Sequence, residues 1–168
     1  CDNYGKPPVL PWATLTVFRR DGDRAFLRRN YDRYVANAAF WEENRCDRGL
    51  FFYSAQEHPE AEDYLHPRWE SGWDNSPRWD EFPIVDLWAI DLNCYMVMFY
   101  RAMADMAEIL GEARTGWDQK ATALAGRIEE TLFDDAQQAY ADRNRKTGAF
   151  VSVLSPASFM PLYIGTAY

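Results

Sequence analysis

Leu87-Trp88-Ala89-Ile90-Asp91-Leu92-Asn93-Cys94-Tyr95-Met96-Val97-Met98-Phe99-Tyr100 is the stretch on which the fold turns. Wound at 3.6 residues per turn it is apolar almost all round, so it must be buried on most of its faces. The helix it predicts extends from about Val85 to Leu110, with Gly111 as its stop. Its neighbours read differently. From about Asp23 to Asn44, Leu27, Tyr31, Tyr34, Val35, Ala38 and Trp41 recur at helical spacing, with Arg24, Arg28, Arg29 and Asp32 off the stripe. From about Gly116 to Phe133, Trp117, Ala121, Leu124, Ala125, Ile128 and Leu132 form one stripe opposite Asp118, Thr122, Glu129 and Glu130. A further helix runs from about Pro8 to Arg20, ended by Asp21-Gly22, and a last one begins near Ala157. A polar turn ending in Thr147-Gly148 lies between Ala139–Asp142 and Phe150–Val153 and predicts a small hairpin over 139–153.

Amphipathic helices beside one that is buried all round are what a two-layered helical barrel requires, an outer ring shielding an inner one. The expected class is all-α, an incomplete (α/α)6 barrel with one small β-hairpin. Five helices cannot close such a ring, so the expectation is part of a single catalytic domain, residues 1–168, cut short at its C-terminal side and completed by further barrel segments or another copy.

The composition excludes several functions. With a formal net charge of −8, the chain repels phosphate, and no nucleic-acid partner is expected. No apolar run reaches the roughly 18 residues of a membrane span. Cys1–Leu15 lacks the basic start and apolar core of a signal peptide. Cys1, Cys46 and Cys94 are odd in number with no close spacing, and His58 and His66 are too few for a metal site. A reducing, cytoplasmic location with no metal or cofactor is expected.

Between Cys46 and Val85 lies a connection too long to be a plain loop in a compact domain. Its densest part is His66-Pro67-Arg68-Trp69-Glu70-Ser71-Gly72-Trp73-Asp74-Asn75-Ser76-Pro77-Arg78-Trp79-Asp80. Three tryptophans, Trp69, Trp73 and Trp79, alternate with carboxylates, arginines and the Asn75 amide. Aromatic faces beside hydrogen-bonding groups suit a sugar ring, and a tryptophan wall desolvates a carboxylic acid, raising its pKa toward proton-donor use. The same residues equally describe a structural loop pinned by tryptophans. Asp74 has a capping alternative, since Asp-x-x-Pro can open a helical turn. Glu70 is read as pairing with Arg68 or Arg78, Arg78 alternatively as holding Asp80, and Asp91 and Asn93 as tying down loops, because buried polar groups need partners.

Glu70 to Asp80 resembles the signature of glycoside hydrolase family 63 and its bacterial relatives, the mannosylglycerate and glucosylglycerate hydrolases, and more distantly that of trehalases. Pro7-Pro8-Val9-Leu10 with Trp12-Ala13, Ile90-Asp91-Leu92-Asn93 and Ala157-Ser158-Phe159-Met160-Pro161-Leu162 are similar to further family segments in the same order. The resemblance implies an inverting hydrolase of α-glucosides or α-mannosides, glycerate-bearing ones included. Asp74 is then the general acid, and Trp69, Trp73, Asn75, Arg78, Trp79, Trp12 and Lys6 line the sugar. Lys6 stands where relatives often carry glutamine. The general base is a glutamate beyond Tyr168. A sugar isomerase or epimerase on a related barrel, and a non-catalytic sugar-binding fragment, are the alternatives; the first relies on histidines, of which there are two here.

Overall fold

The computed structural model describes residues 5–54 and 66–165. Cys1 and His58 lie outside the described residues. In chain order the elements are α1 (Leu10–Asp21), α2 (Arg24–Asn44), β1 (Cys46–Asp47), β2 (Leu50–Phe51), α3 (His66–Ser71), β3 (Leu87–Trp88), α4 (Ile90–Leu110), α5 (Thr115–Leu132), β4 (Phe133–Asp134), β5 (Ala139–Tyr140), β6 (Arg143–Asn144) and α6 (Met160–Ile164). Among the described residues the strands form three two-stranded antiparallel pairs, β1–β2, β3–β6 and β4–β5. No helix among them is long and apolar enough to cross a membrane.

The all-round apolar pattern of α4 puts it at the centre, packed against α1, α2, α5 and α6. Met96, Val97, Met103, Met106 and Ala107 are fully buried. At about 1.5–3 kcal/mol for a fully buried large apolar side chain, this one helix carries a large share of the burial energy. The amphipathic stripes of α2 and α5 close on it as their spacing predicts: Leu27, Tyr31, Ala38 and Trp41 from α2, Ala121, Leu124, Ile128 and Leu132 from α5. Val35, expected on the α2 stripe, stays 42% exposed. Polar ties sit at the edges of the contacts. Glu42 on α2 accepts from the Tyr100 hydroxyl (2.9 Å) and pairs with Lys120 (2.6 Å), joining α2, α4 and α5.

The helices begin and end close to their sequence signals. The Asp23 side chain accepts the Phe26 N–H at 2.9 Å, and α1 stops at Gly22, whose φ of 70° is the left-handed geometry glycine adopts without a Cβ clash. Two boundaries differ from expectation. The helix expected from Val85 starts only at Ile90. Residues Ile84–Asp86 form a 3-10 turn after Pro83, and Leu87–Trp88 extend as β3 to pair with β6. In the expected 139–153 hairpin, Ala139–Tyr140 turn back onto Phe133–Asp134 instead, with Phe133 and Tyr140 in edge contact at 5.1 Å. Asp142 to Asn144 is the part that faces Ala149 to Val151: Val151 N–H donates to Asp142 O and Asn144 N–H to Ala149 O. The final helix is preceded by a 3-10 turn over Pro156–Phe159.

Asn93, polar on an apolar helix, ties β2 to α4 as expected. Its Oδ1 accepts the Phe51 N–H at 2.8 Å, and its Nδ2 donates to Phe51 O at 3.0 Å and Ala89 O at 2.8 Å. Asn93→Leu keeps the volume but strands the Phe51 groups. It should lower stability by about 1–3 kcal/mol for each one left unpaired, read as a lower urea midpoint with unchanged m-value.

Candidate active site

The tryptophan-rich run is braced from within. Ser71 Oγ donates to Arg68 O (2.5 Å) and accepts Trp73 N–H (2.9 Å), and Arg68 donates to Trp79 O (3.1 Å). Trp73 to Ser76 is a turn, closed by Ser76 N–H donating to Trp73 O at 3.0 Å. The same carbonyl accepts the Trp79 indole N–H at 2.9 Å. Ser76, before Pro77, caps the following 3-10 turn by accepting the Arg78 N–H. The capping alternative for Asp74 is therefore not realised, because Ser76 occupies that position. Asp74 and Asn75 sit at the tip of the turn, both exposed. No hydrogen bond or ion pair among the described residues engages the Asp74 carboxylate.

Under the turn lies a buried ionic cluster. Arg78, 1% exposed, donates from Nε to Asp142 Oδ2 (2.7 Å) and from Nη2 to Asp142 Oδ1 (2.6 Å) and Asp91 Oδ1 (2.7 Å). Asp91 Oδ2 also accepts the Tyr53 hydroxyl at 3.0 Å, and Asp142 Oδ1 the Ile90 N–H at 2.8 Å. Two carboxylates face one guanidinium, and these two neutral donors offset the extra negative charge. Burial works against the Arg78 charge, but Asp91 and Asp142 outweigh it and hold its pKa above the ordinary value. Desolvation and the Asp91 charge push the Tyr53 hydroxyl well up, which keeps it a donor. The guanidinium stacks on Trp79 (4.3 Å from Cζ to the ring centroid) and lies 5.4 Å from the Trp73 ring centroid. Arg78 thus pairs with Asp91 and Asp142, and not with Asp80 or Glu70.

Glu70 is fully buried. It accepts Gly5 N–H (2.7 Å) and Ser54 N–H (2.6 Å) and pairs with Arg45 at 3.5 Å, so its role is structural but its partner is Arg45. Burial pushes its pKa up, against those hydrogen bonds and the Arg45 charge. Gly5 is packed so closely that a Cβ there would meet the Trp41 ring at 2.5 Å. This anchor sets Lys6 beside the motif, its Nζ donating to Trp69 O.

The expected site residues therefore separate. Asp74, Asn75, Trp69 (43% exposed) and Lys6 are exposed and Trp73 is half-buried, with Lys6 tied to the Trp69 carbonyl. Arg78 and Trp79, expected as sugar contacts, are enclosed instead. Trp79 is 2% exposed with Arg78 on its face, because the guanidinium needs both carboxylates and the indole N–H needs the Trp73 carbonyl. Trp12 stands on α1, 46% exposed, with no side-chain hydrogen bond to the motif among the described residues. Sequence reading missed Asp142, Tyr53 and Tyr95. Tyr95 lies one turn after Asp91 on α4; burial foremost and then the Asp91 charge raise its pKa. That i to i+4 spacing was its one available signal. A groove of about 400 Å³ lies elsewhere, lined by Phe133, Tyr140, Leu154, Phe159 and Leu162 among others and by no carboxylate. Among the described residues no group of three histidines, cysteines or acids is placed to hold a metal.

The central buried helix and its amphipathic surround match one portion of larger helical-barrel proteins. The fold matches mannosylglycerate hydrolase of family 63 from Thermus thermophilus, solved with glucose, with a TM-score of 0.81 at 20% identity over 99% of this chain and 48% of that one. The same enzyme with Tris and D-glycerate gives 0.81 at 18% over 98% and 51%. Neutral trehalase Nth1 from Saccharomyces cerevisiae gives 0.78 at 17% over 98% and 42%. The chain thus spans about half the length of these proteins. Residues 2–168 match the model of the mannosylglycerate hydrolase MGH1-like glycoside hydrolase domain, and the chain belongs to that family.

Asp142→Ala leaves Arg78 with one carboxylate and Ile90 N–H without an acceptor. Breaking a buried pair in this way should cost about 3–5 kcal/mol, measurable as a lowered urea midpoint.

Proposed function

We propose that this chain carries the general-acid half of an inverting glycoside hydrolase acting on α-glucosides or α-mannosides, including those linked to glycerate. The observation that supports it most is Asp74, a carboxylate held at the tip of a fully braced turn, exposed and unengaged by any described residue. A structural carboxylate in this loop would resemble Glu70, buried and committed to three partners. Asp74 is free to meet a glycosidic oxygen. Family membership and the motif around it agree with that role.

In this reading Asp74 protonates the departing oxygen while a glutamate outside this chain removes a proton from water on the opposite face of the sugar. The two carboxyls would stand roughly 6.5–9.5 Å apart to admit that water. Trp69 offers its face to the sugar ring, Trp73 walls the acid, and Asn75 supplies a hydrogen-bonding amide. Lys6 is the candidate cation for a glycerate carboxylate: Arg78 is already paired with two aspartates, and of the two cations that each donate to a loop carbonyl, Lys6 is exposed and Arg68 half-buried. Without its base this chain alone is not expected to turn over substrate. Further barrel segments, or another copy, complete the cleft. The unpaired Cys46 and Cys94 support a cytoplasmic location.

The test is Asp74→Asn in the full-length protein, assayed on a natural-type glycoside and on a glycosyl fluoride, whose departure needs little protonation. Glycoside turnover should fall by about 10²–10⁴-fold, the usual contribution of general acid catalysis, with a much smaller loss on the fluoride. Near-normal turnover of the glycoside would remove Asp74 from the mechanism.

A further inference from the structure

We infer that Arg78 is a positioning residue for the Asp74 turn, acting through Trp73 and Trp79, and that the Asp91–Asp142 clasp exists to hold it there. The inference rests on Asp74 being the general acid.

Asp74 has no side-chain partner of its own among the described residues, so its placement is set by the backbone on either side. That backbone converges on the Trp73 carbonyl, which accepts both Ser76 N–H (3.0 Å) and Trp79 Nε1–H (2.9 Å). The first bond closes the turn that carries Asp74, and the second ties it to the Trp79 ring. The Trp79 ring is in turn fixed by the guanidinium against its face, 4.3 Å from Cζ to centroid, and the same guanidinium lies 5.4 Å from the Trp73 ring. The guanidinium is thus in contact with the Trp79 ring and near the Trp73 ring. Asp142 grips it at Nε and Nη2 in the two-pronged manner that defines an orientation as well as a charge, and Asp91 adds a contact from α4. A buried charge cluster is a poor source of net stability compared with apolar packing, which favours a positioning role over simple cohesion. What the arrangement provides is a rigid line from the first turn of the central helix, through the guanidinium, to the residue next to the acid.

Lysine keeps the charge but has neither the planar fork nor the stacking face. In the full-length enzyme, Arg78→Lys should let the turn drift while leaving the Asp74 carboxyl in place. Misplacement on the scale of an ångström can cost about 10²-fold in rate. Glycoside turnover, which depends on proton donation, should fall by about that factor, while glycosyl fluoride turnover stays within a few-fold. Trp79→Phe removes only the indole N–H and part of the stacking surface, and should give the same pattern at smaller size; it decides the matter if the lysine variant does not fold. KM for the fluoride should be little changed in both. Parallel loss on the two substrates would show a structural role alone and overturn the inference, as would unaltered glycoside turnover in a folded variant. If Asp74→Asn is selectively impaired and neither of these variants is, only the positioning role falls. If Asp74→Asn itself retains glycoside turnover, the inference falls with the reading beneath it.

Discussion

One guanidinium carries the architecture of this site. Arg78 reaches from the tryptophan-rich loop into a buried space where Asp91 of α4 and Asp142 of the segment before β6 meet it at 2.6–2.7 Å. Removing either carboxylate would leave charge uncompensated in a medium where water cannot reach it. The three segments are consequently held in one arrangement. Asp142 also accepts the Ile90 N–H and so marks where α4 begins, although nothing next to Ile90 in sequence offers a cap.

This constraint explains why a chain with so buried a helix tolerates Asp91 and Asn93 in its first turn. Both are fully buried, and each oxygen of the two side chains is engaged. Asn93 fastens the β1–β2 hairpin, Asp91 fastens Tyr53 and Arg78, and both ends of the 46–85 connection are thereby drawn to one end of α4. The surface ion pairs, such as Arg19–Asp105 and Arg28–Glu112, are half-exposed and each contributes about 1 kcal/mol at most. They do not decide the arrangement. The apolar burial of α4 drives association of the helices, and the buried polar groups at its N-terminal end select one arrangement from those that burial alone would allow.

The site separates into residues that are held and residues that are offered. Glu70, Ser71, Arg78 and Trp79 are enclosed and bonded into the structure, whereas Asp74, Asn75 and Trp69 are exposed. The motif therefore serves two functions within a few residues of each other. Residue type does not distinguish enclosed from exposed positions: Trp69 and Trp79 are the same side chain in opposite circumstances.

The helices were legible in the chain because their cause is local and periodic. The stripes of α2 and α5, the all-round apolarity of α4, and the Asp23 cap and Gly22 stop follow from 3.6-residue spacing and backbone chemistry, and the structure places α2 and α5 within a residue or two of expectation. The all-α class was legible for the same reason. Tertiary structure alone decided who pairs with whom. That Arg45 and not Arg68 meets Glu70, that Asp142 crosses the molecule to Arg78, that β3 forms where a helix was expected, and that Trp79 turns inward while Trp69 turns out, all depend on which distant segments arrive at the same place. Charge and hydrogen-bonding capacity are written in the sequence, but a buried polar group takes its partner from three-dimensional proximity, and proximity here is set by how the helices close on α4.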